Sequence, residues 1–278
     1  MNRVYIGTSG WVYKEWQKHF YPADVPAKRQ FQFYATQFPT VEINATFYRL
    51  PTLKMVRGWR DKAPPGFVFA VKGSRFITHI LKISGASKGL RKYFSRLKSL
   101  EDRTGPVLWQ LPPFMKKSPA RLEKFLKILP KNYCHAVEFR HSSWYEGSEA
   151  FDLLRKYGAA HVNLSSLRMP MNLTVTAGFI YIRFHGLKNG ARHDYTRAEL
   201  DPWAKFIRKQ AGSGKNVYAY FNNDLNVHAP DNAKALMKMI GQAAIQPFST
   251  EMADRSNPKS ENRNPKEIRS PNTRRKVV

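Results

Sequence analysis

Eight short β-rich runs, most of them followed by a stretch of helical character, constrain this chain more than any other feature. The runs fall at residues 4–7, 41–44, 67–72, 107–111, 136–140, 160–164, 180–185 and 217–222. Helical stretches at 29–38 and 53–62 follow the first two, and 89–101 follows the third. The fourth is followed by 119–129, where Ser118 is placed to cap and Pro119 sits in the tolerated first turn. Stretches at 149–157, 197–210 and 232–240 follow the fifth, seventh and eighth, whereas 165–178, after the sixth, shows little helix. Alternation of this kind predicts parallel βαβ units. Eight of them without a sheet-edge signal predict closure into a TIM-like (β/α)8 barrel, a fold of about 250 residues that a 278-residue chain accommodates once.

Side-chain parity gives that barrel an inside and an outside, because successive residues of a strand face opposite ways. One parity is apolar (Val4, Ile6; Val41, Ile43; Phe69, Val71; Val107, Trp109; Val137, Phe139; Ile182, Phe184; Ala219, Phe221) and is expected to lie under the helices. The other reads Tyr5, Gly7, Ser9; Glu42, Asn44; Lys72; Gln110; Glu138, Arg140; Asn163; Tyr181, Arg183, His185; Tyr218, Tyr220, Asn222, and is expected to line the lumen. Its charges gather at the C-terminal strand ends, the rim where barrels of this class carry their chemistry. Burying so many ionisable groups without a role is costly.

Charge narrows the class of ligand. Lys plus Arg outnumber Asp plus Glu by 47 to 20, a formal +27 that attracts anions and polyanions. Residues 249–278 contribute only +4 of it and have almost no apolar periodicity, so residues 243–278 read as a disordered basic tail behind a barrel of residues 1–242. Within the barrel, segment 82–131 holds thirteen Lys and Arg against Glu101, Asp102 and Glu123, the footprint of a phosphate-contacting surface or of solvated helix faces. Cys134 is the only cysteine, which excludes an intrachain disulfide framework or a cysteine-clustered zinc site. No run approaches the ~18 apolar residues of a membrane span, and Met1 to Gly7 lead directly into a strand, so a cytoplasmic protein without membrane contact is expected.

The strand ends supply the candidate chemistry. Glu42 and Glu138, from different strands, are the types needed for a general acid and base pair, with His185 as a proton shuttle. Glu138 is the favoured base. Ser9, Asn44, Lys72, His79, Gln110, Arg140, His141, Arg183, Asn222 and Asp224, with Trp11, Tyr48, Trp144 and Tyr220, are the candidate substrate contacts. The rings of the first long loop, Trp11, Tyr13, Trp16 and Tyr21, offer flat surfaces for a base or sugar or pack that loop onto the barrel. Arg140, Arg183 and Lys72 suit phosphate oxygens. Glu42, Glu138, His185 and Asp224 make at best a sparse metal set amid many cations; no metal is assigned and the sequence requires no cofactor.

These motifs together resemble the domain-of-unknown-function 72, or YecE-like, family. The resemblance rests on Gly7-Thr8-Ser9-Gly10-Trp11, Phe20-Tyr21-Pro22, Glu42-Ile43-Asn44-Ala45-Thr46-Phe47-Tyr48, Phe69-Ala70-Val71-Lys72, Thr78-His79, Gln110-Leu111-Pro112-Pro113, Glu138-Phe139-Arg140-His141-Ser142-Ser143-Trp144, Arg183-Phe184-His185-Gly186 and Tyr220-Phe221-Asn222-Asn223-Asp224. It implies a TIM-like barrel and brings no assigned activity. Lys18 and Val227 depart from it, each standing where the resemblance implies glycine.

Three functions fit this reading. The first is an enzyme, a hydrolase or lyase, acting on a phosphorylated or nucleic-acid-like anion by acid/base chemistry at the C-terminal rim. The second is a carbohydrate-active enzyme with Glu42 and Glu138 flanking a glycosidic bond. The third is a non-catalytic nucleic-acid-binding protein using segment 82–131 and the tail. Similarity in architecture to endonuclease IV-like and sugar isomerase barrels is analogy of fold alone. Oligomeric state is left open.

Overall fold

The computed structural model describes residues 3–241 and 244–246. Each β-rich run forms a strand: β1 (Val4–Thr8), β2 (Thr40–Ile43), β3 (Val68–Lys72), β4 (Thr104–Gln110), β5 (His135–Glu138), β6 (Ala160–Ser166), β7 (Phe179–Gly186) and β8 (Asn216–Phe221). They pair in parallel and in chain order, and β8 closes onto β1 from Val4↔Val217 to Thr8↔Phe221. The helices are α1 (Gln30–Ala35), α2 (Ala45–Tyr48), α3 (Leu53–Lys62), α4 (Ser87–Leu97), α5 (Pro119–Lys127), α6 (Glu149–Lys156), α7 (Arg197–Gly212) and α8 (His228–Ile240). The chain is a (β/α)8 barrel.

Side-chain caps open two of the eight helices. Thr52 opens α3 by accepting from the Met55 amide, and Thr196 with Glu199 forms a full capping box on α7. Pro119 occupies the first turn of α5, but the Ser118 side chain makes no capping hydrogen bond there, contrary to the sequence reading. Ser118 has φ −147° and ψ 88°, off the usual cap conformation.

The outward parity is buried as expected. Val4, Ile6, Val41, Ile43, Phe69, Val71, Val107, Trp109, Val137, Phe139, Ile182, Phe184, Ala219 and Phe221 all join one apolar layer between sheet and helices. The lumen holds a second, smaller core, in which Ala70, Leu108, Ala136, Val162, Leu164, Tyr181 and Tyr220 lie below the charged rim. Fully burying a side chain of the Val or Leu class contributes about 1.5–3 kcal/mol, so both layers stabilise the closed sheet.

Parity fails in one strand. Val162 pairs with Tyr181 and Leu164 with Arg183, which turns Asn163 outward with Ile182. Segment 167–178 explains the inversion: it lacks a helix and instead folds over the outside of β6. Thr176 Oγ1 accepts from the His161 amide and donates to the Ala159 carbonyl, each at 2.7 Å, and Asn163 donates to the Thr174 carbonyl. A loop with polar groups can satisfy polar residues that a helix would leave stranded.

Past the predicted barrel boundary, Ala244 bridges to Val4 and is buried against the core. Residues 243 and 247–278 of the predicted tail lie outside the described residues. Among the described residues no helix is long and apolar enough to cross a membrane.

Candidate functional site at the barrel mouth

At the first strand two glycines act differently. A Cβ on Gly7 would lie 2.3 Å from the Thr40 carbonyl oxygen, so Gly7 lets β1 and β2 close up. Gly10, at φ +100°, turns the chain back over the mouth. Ser9 lies between them, and its Oγ donates to Glu42 Oε1 at 2.8 Å.

Arg183, an inward-facing residue within β7, organises the floor. Its Nη2 donates to Glu42 Oε1 and its Nη1 to Glu138 Oε2, each at 2.7 Å, and all three side chains are fully buried. Nη2 also reaches Asn222 Oδ1 at 3.0 Å. Glu42 Oε2 accepts from the Tyr181 hydroxyl at 2.7 Å, while Glu138 Oε1 accepts from Gln110 Nε2 at 2.7 Å and Arg140 Nη1 at 2.9 Å. Each carboxylate is therefore saturated with donors. Such pairing compensates a desolvation cost of several kcal/mol per buried ion.

Above this floor opens a cavity of about 440 Å3, lined by Tyr13, Asn44, Tyr48, Lys72, Gln110, Arg140, Arg183, His185, Asn222 and Asp224. The Lys72 ammonium sits 4.4 Å over the Phe47 ring and makes no ion pair or hydrogen bond among the described residues. Burial, reinforced by the charge of Arg183, pulls its pKa down to about 8. His185 Nε2 lies 3.2 Å from Arg140 Nη1 and 3.1 Å from Arg183 Nη1. The same nitrogen lies 3.3 Å from Glu138 Oε1, so two guanidinium groups and a carboxylate oxygen crowd one ring nitrogen. Burial and Arg183 accordingly lower the His185 pKa to about 4. Burial alone would raise the Glu138 carboxyl; the guanidinium of Arg183 foremost, then His185 and Arg140, outweigh it and hold the group well below the usual carboxylate range. Asp224 at the rim moves the other way, raised mainly by burial.

Residues 5–257 match the model of the family described as protein of unknown function DUF72. The chain belongs to the DUF72 family. It is 24% identical over 269 residues to the UPF0759 protein YunF of Bacillus subtilis, covering 85% of this chain and 94% of that protein. A DUF72 family protein from Thermotoga maritima superposes with a TM-score of 0.79 at 29% identity, over 86% of this chain and 99% of that one. One from Enterococcus faecalis has a TM-score of 0.76 at 18% identity, over 88% and 98%.

The DUF72 barrel brings many of the sequence-selected residues together. Asn44, Tyr48, Lys72, Gln110, Arg140, Arg183, His185, Asn222 and Asp224 line the cavity, with Ser9, Glu42 and Glu138 directly beneath. Others lie elsewhere. Trp11 meets Phe31 edge-on and lines a separate groove with Lys28, Met55 and Trp59. Trp144 is fully buried, stacked on Phe139 at 4.6 Å, and its indole donates to the Met115 carbonyl. Tyr220 belongs to the lower lumen core, where its hydroxyl is 2.8 Å from Thr40 Oγ1. His141 Nδ1 accepts from the Ser143 amide and holds a local turn. His79 packs against Phe47 and Thr78.

Two site residues went unselected. Tyr13 lines the cavity, and its hydroxyl donates to the Ser9 carbonyl; it stands in the aromatic loop singled out by sequence, but nothing there separates it from Trp11. Tyr181 has the inward parity of Arg183 two residues on, which is the signal that marks it. The donor set fits a bridging metal poorly, because the Arg183 guanidinium occupies the space between Glu42 and Glu138. Among the described residues no three His, Cys, Asp or Glu side chains stand together as a metal site.

Proposed function

We propose that this DUF72 protein is an enzyme that captures a small anionic group at the barrel mouth and carries out proton transfer beside it. One observation carries the reading. Lys72 and Arg140 face the cavity with donors unspent, while the two carboxylates below are bridged by Arg183. A carboxylate or phosphate entering the cavity meets the Lys72 ammonium and the unspent guanidinium donors of Arg140 in a partly desolvated site, where charge-assisted hydrogen bonds are strongest. The buried Asn44 Oδ1, without a hydrogen-bond partner among the described residues, offers an acceptor to a substrate hydroxyl.

The chemistry then falls to groups other than the floor carboxylates. Glu138 is too tightly held in its ionised form to serve as base, and together with Glu42 it positions Arg183. His185 and Asp224 line the cavity as the groups placed to exchange a proton with a bound ligand, and burial raises the Asp224 carboxyl above its ordinary value. The carbohydrate reading loses support for the same reason: carboxylates bridged by one guanidinium cannot flank a glycosidic bond.

Basic side chains favour a second reading, phosphate-backbone contact on the outer wall. Lys88, Arg91 and Lys92 of α4 and Arg121 and Lys124 of α5 are exposed, and Arg121 and Lys124 line a groove of about 540 Å3 between α5 and residues 83–87.

Calorimetric titration with inorganic phosphate and with pyruvate at low salt tests the first reading. Arg140→Ala and Lys72→Met are expected to weaken binding by tenfold or more, and Arg91→Ala to leave it unchanged. Loss of binding in Arg91→Ala with retention in Arg140→Ala would transfer the anion site to the outer wall.

A further inference from the structure

We propose that Lys72 is a nucleophile that condenses with the aldehyde or ketone of an anionic substrate, so that the mouth is a Schiff-base site. This rests on the anion reading above and narrows it to carbonyl compounds bearing a carboxylate or phosphate.

Geometry distinguishes Lys72 from every other described lysine. It is the only one among the described residues that is buried, with 9% of its surface accessible. Its strand end is fixed from both sides, because its carbonyl accepts from Thr46 Oγ1 at 2.7 Å and from the Tyr93 hydroxyl at 2.8 Å. The side chain extends from this anchor over Phe47 into the cavity. An ammonium retained only for structure would be expected to pair with Glu42 or Glu138, yet Arg183 takes both. Lys72 is left beside two guanidinium groups, Arg140 and Arg183, and on an apolar ring. Crowding by cations and desolvation are the conditions that free the lone pair of a lysine near neutral pH. Its pKa of about 8 agrees with that environment.

The step balances without oxidant or reductant. The neutral amine attacks the carbonyl carbon; a C–N bond forms as the C=O π pair moves to oxygen, which takes up a proton. Nitrogen releases one proton, the hydroxyl gains another and leaves as water, and an iminium remains. Counted from the ammonium, the products are iminium and one water. Asp224 lines the same cavity and serves as the proton carrier, while Arg140 holds the anionic end.

The experiment uses the full chain with pyruvate or dihydroxyacetone phosphate as probe, cyanoborohydride as trap, and peptide mass mapping. Lactate and glycerol 3-phosphate serve as anions lacking the carbonyl. The expected result is one dominant adduct on Lys72, absent in Lys72→Arg, formed at least tenfold more slowly in Arg140→Ala, and suppressed by the reduced analogues. Adducts scattered over surface lysines with none enriched at Lys72 would overturn the proposal. If lactate and glycerol 3-phosphate bind at the mouth and no ketone is trapped, the anion site stands and the Schiff base falls. If none of the four binds, both fall. Mapping on the unmodified sequence gives the answer even if Lys72→Arg does not fold.

Discussion

Arg183 Nη1 lies 2.7 Å from Glu138 Oε2 at the floor of the barrel mouth, and neither side chain reaches solvent. With Glu42 on the other terminal nitrogen, one guanidinium bridges two carboxylates from strands on different sides of the lumen.

Removing that guanidinium should therefore unbalance two charges. Arg183→Met is expected to destabilise the fold by about 3–5 kcal/mol at pH 7.5, the range for a buried ion stripped of its partner. In the variant one carboxyl acquires a folded-state pKa above its unfolded value, so stability should rise as pH falls from 7.5 toward 5. Urea midpoints at the two pH values measure this, and an unchanged midpoint at pH 7.5 would refute it.

The opposite pH response is expected of the unaltered protein. His161 is buried against Phe139, Tyr145 and Phe151, neither ring nitrogen has a hydrogen-bond partner among the described residues, and burial lowers its pKa to about 3. His185 is lowered to about 4. Both contributions are complete above the unfolded value of about 6.5 and are lost as pH falls toward the folded values. His161→Phe should remove the larger part, on the order of 3 kcal/mol at pH 4. The comparison is of denaturant midpoints between pH 7 and pH 4.

Anion affinity should carry the signature of Lys72. The ammonium is the binding form, so affinity is expected to fall as pH rises through about 8, well below the range of a solvated lysine. Lys72→Met should flatten the profile. A profile that breaks near pH 10 instead would show that the attracting lysine lies on the surface.

The two departures from the family pattern meet in one backbone fact. Lys18 has φ 66° and Val227 φ 65°, both in the left-handed region that glycine occupies freely. Lys18→Gly, at an exposed position, should raise stability by about 1 kcal/mol. Val227→Gly relieves the same strain but gives up a side chain packed on the core, so its gain should be smaller. Thermal unfolding of the two single variants checks the order.

Strand number, chain-order closure and the outward core could be read from the sequence because strand parity is a local property. The exception at β6 is instructive. Asn163 looks like a lumen residue because polar atoms on a barrel's outer face normally meet a helix, and the covering loop with Thr174 and Thr176 is not periodic. The charges at the mouth were legible for the same local reason, since Glu42, Lys72, Glu138, Arg140, Arg183 and His185 all end strands. Their pairing was not. Which carboxylate remains free depends on angstrom-scale distances across the lumen, and there Glu138 proved to be saturated. Loop aromatics such as Trp11 and Trp144 had no periodicity to orient them.

The apolar plug under the Arg183 bridge limits how far a guest can travel. Ala70, Leu108, Tyr181 and Tyr220 fill the lumen below it, so a molecule inserts one end and leaves the rest outside. That remainder would meet Tyr48, Phe76, Ile80 and Phe114, all exposed on the segments that follow β2, β3 and β4. Under the proposed function, grip and selectivity would thus be housed in different parts of the chain, the strand ends holding the inserted end and the loops after β2, β3 and β4 meeting the remainder.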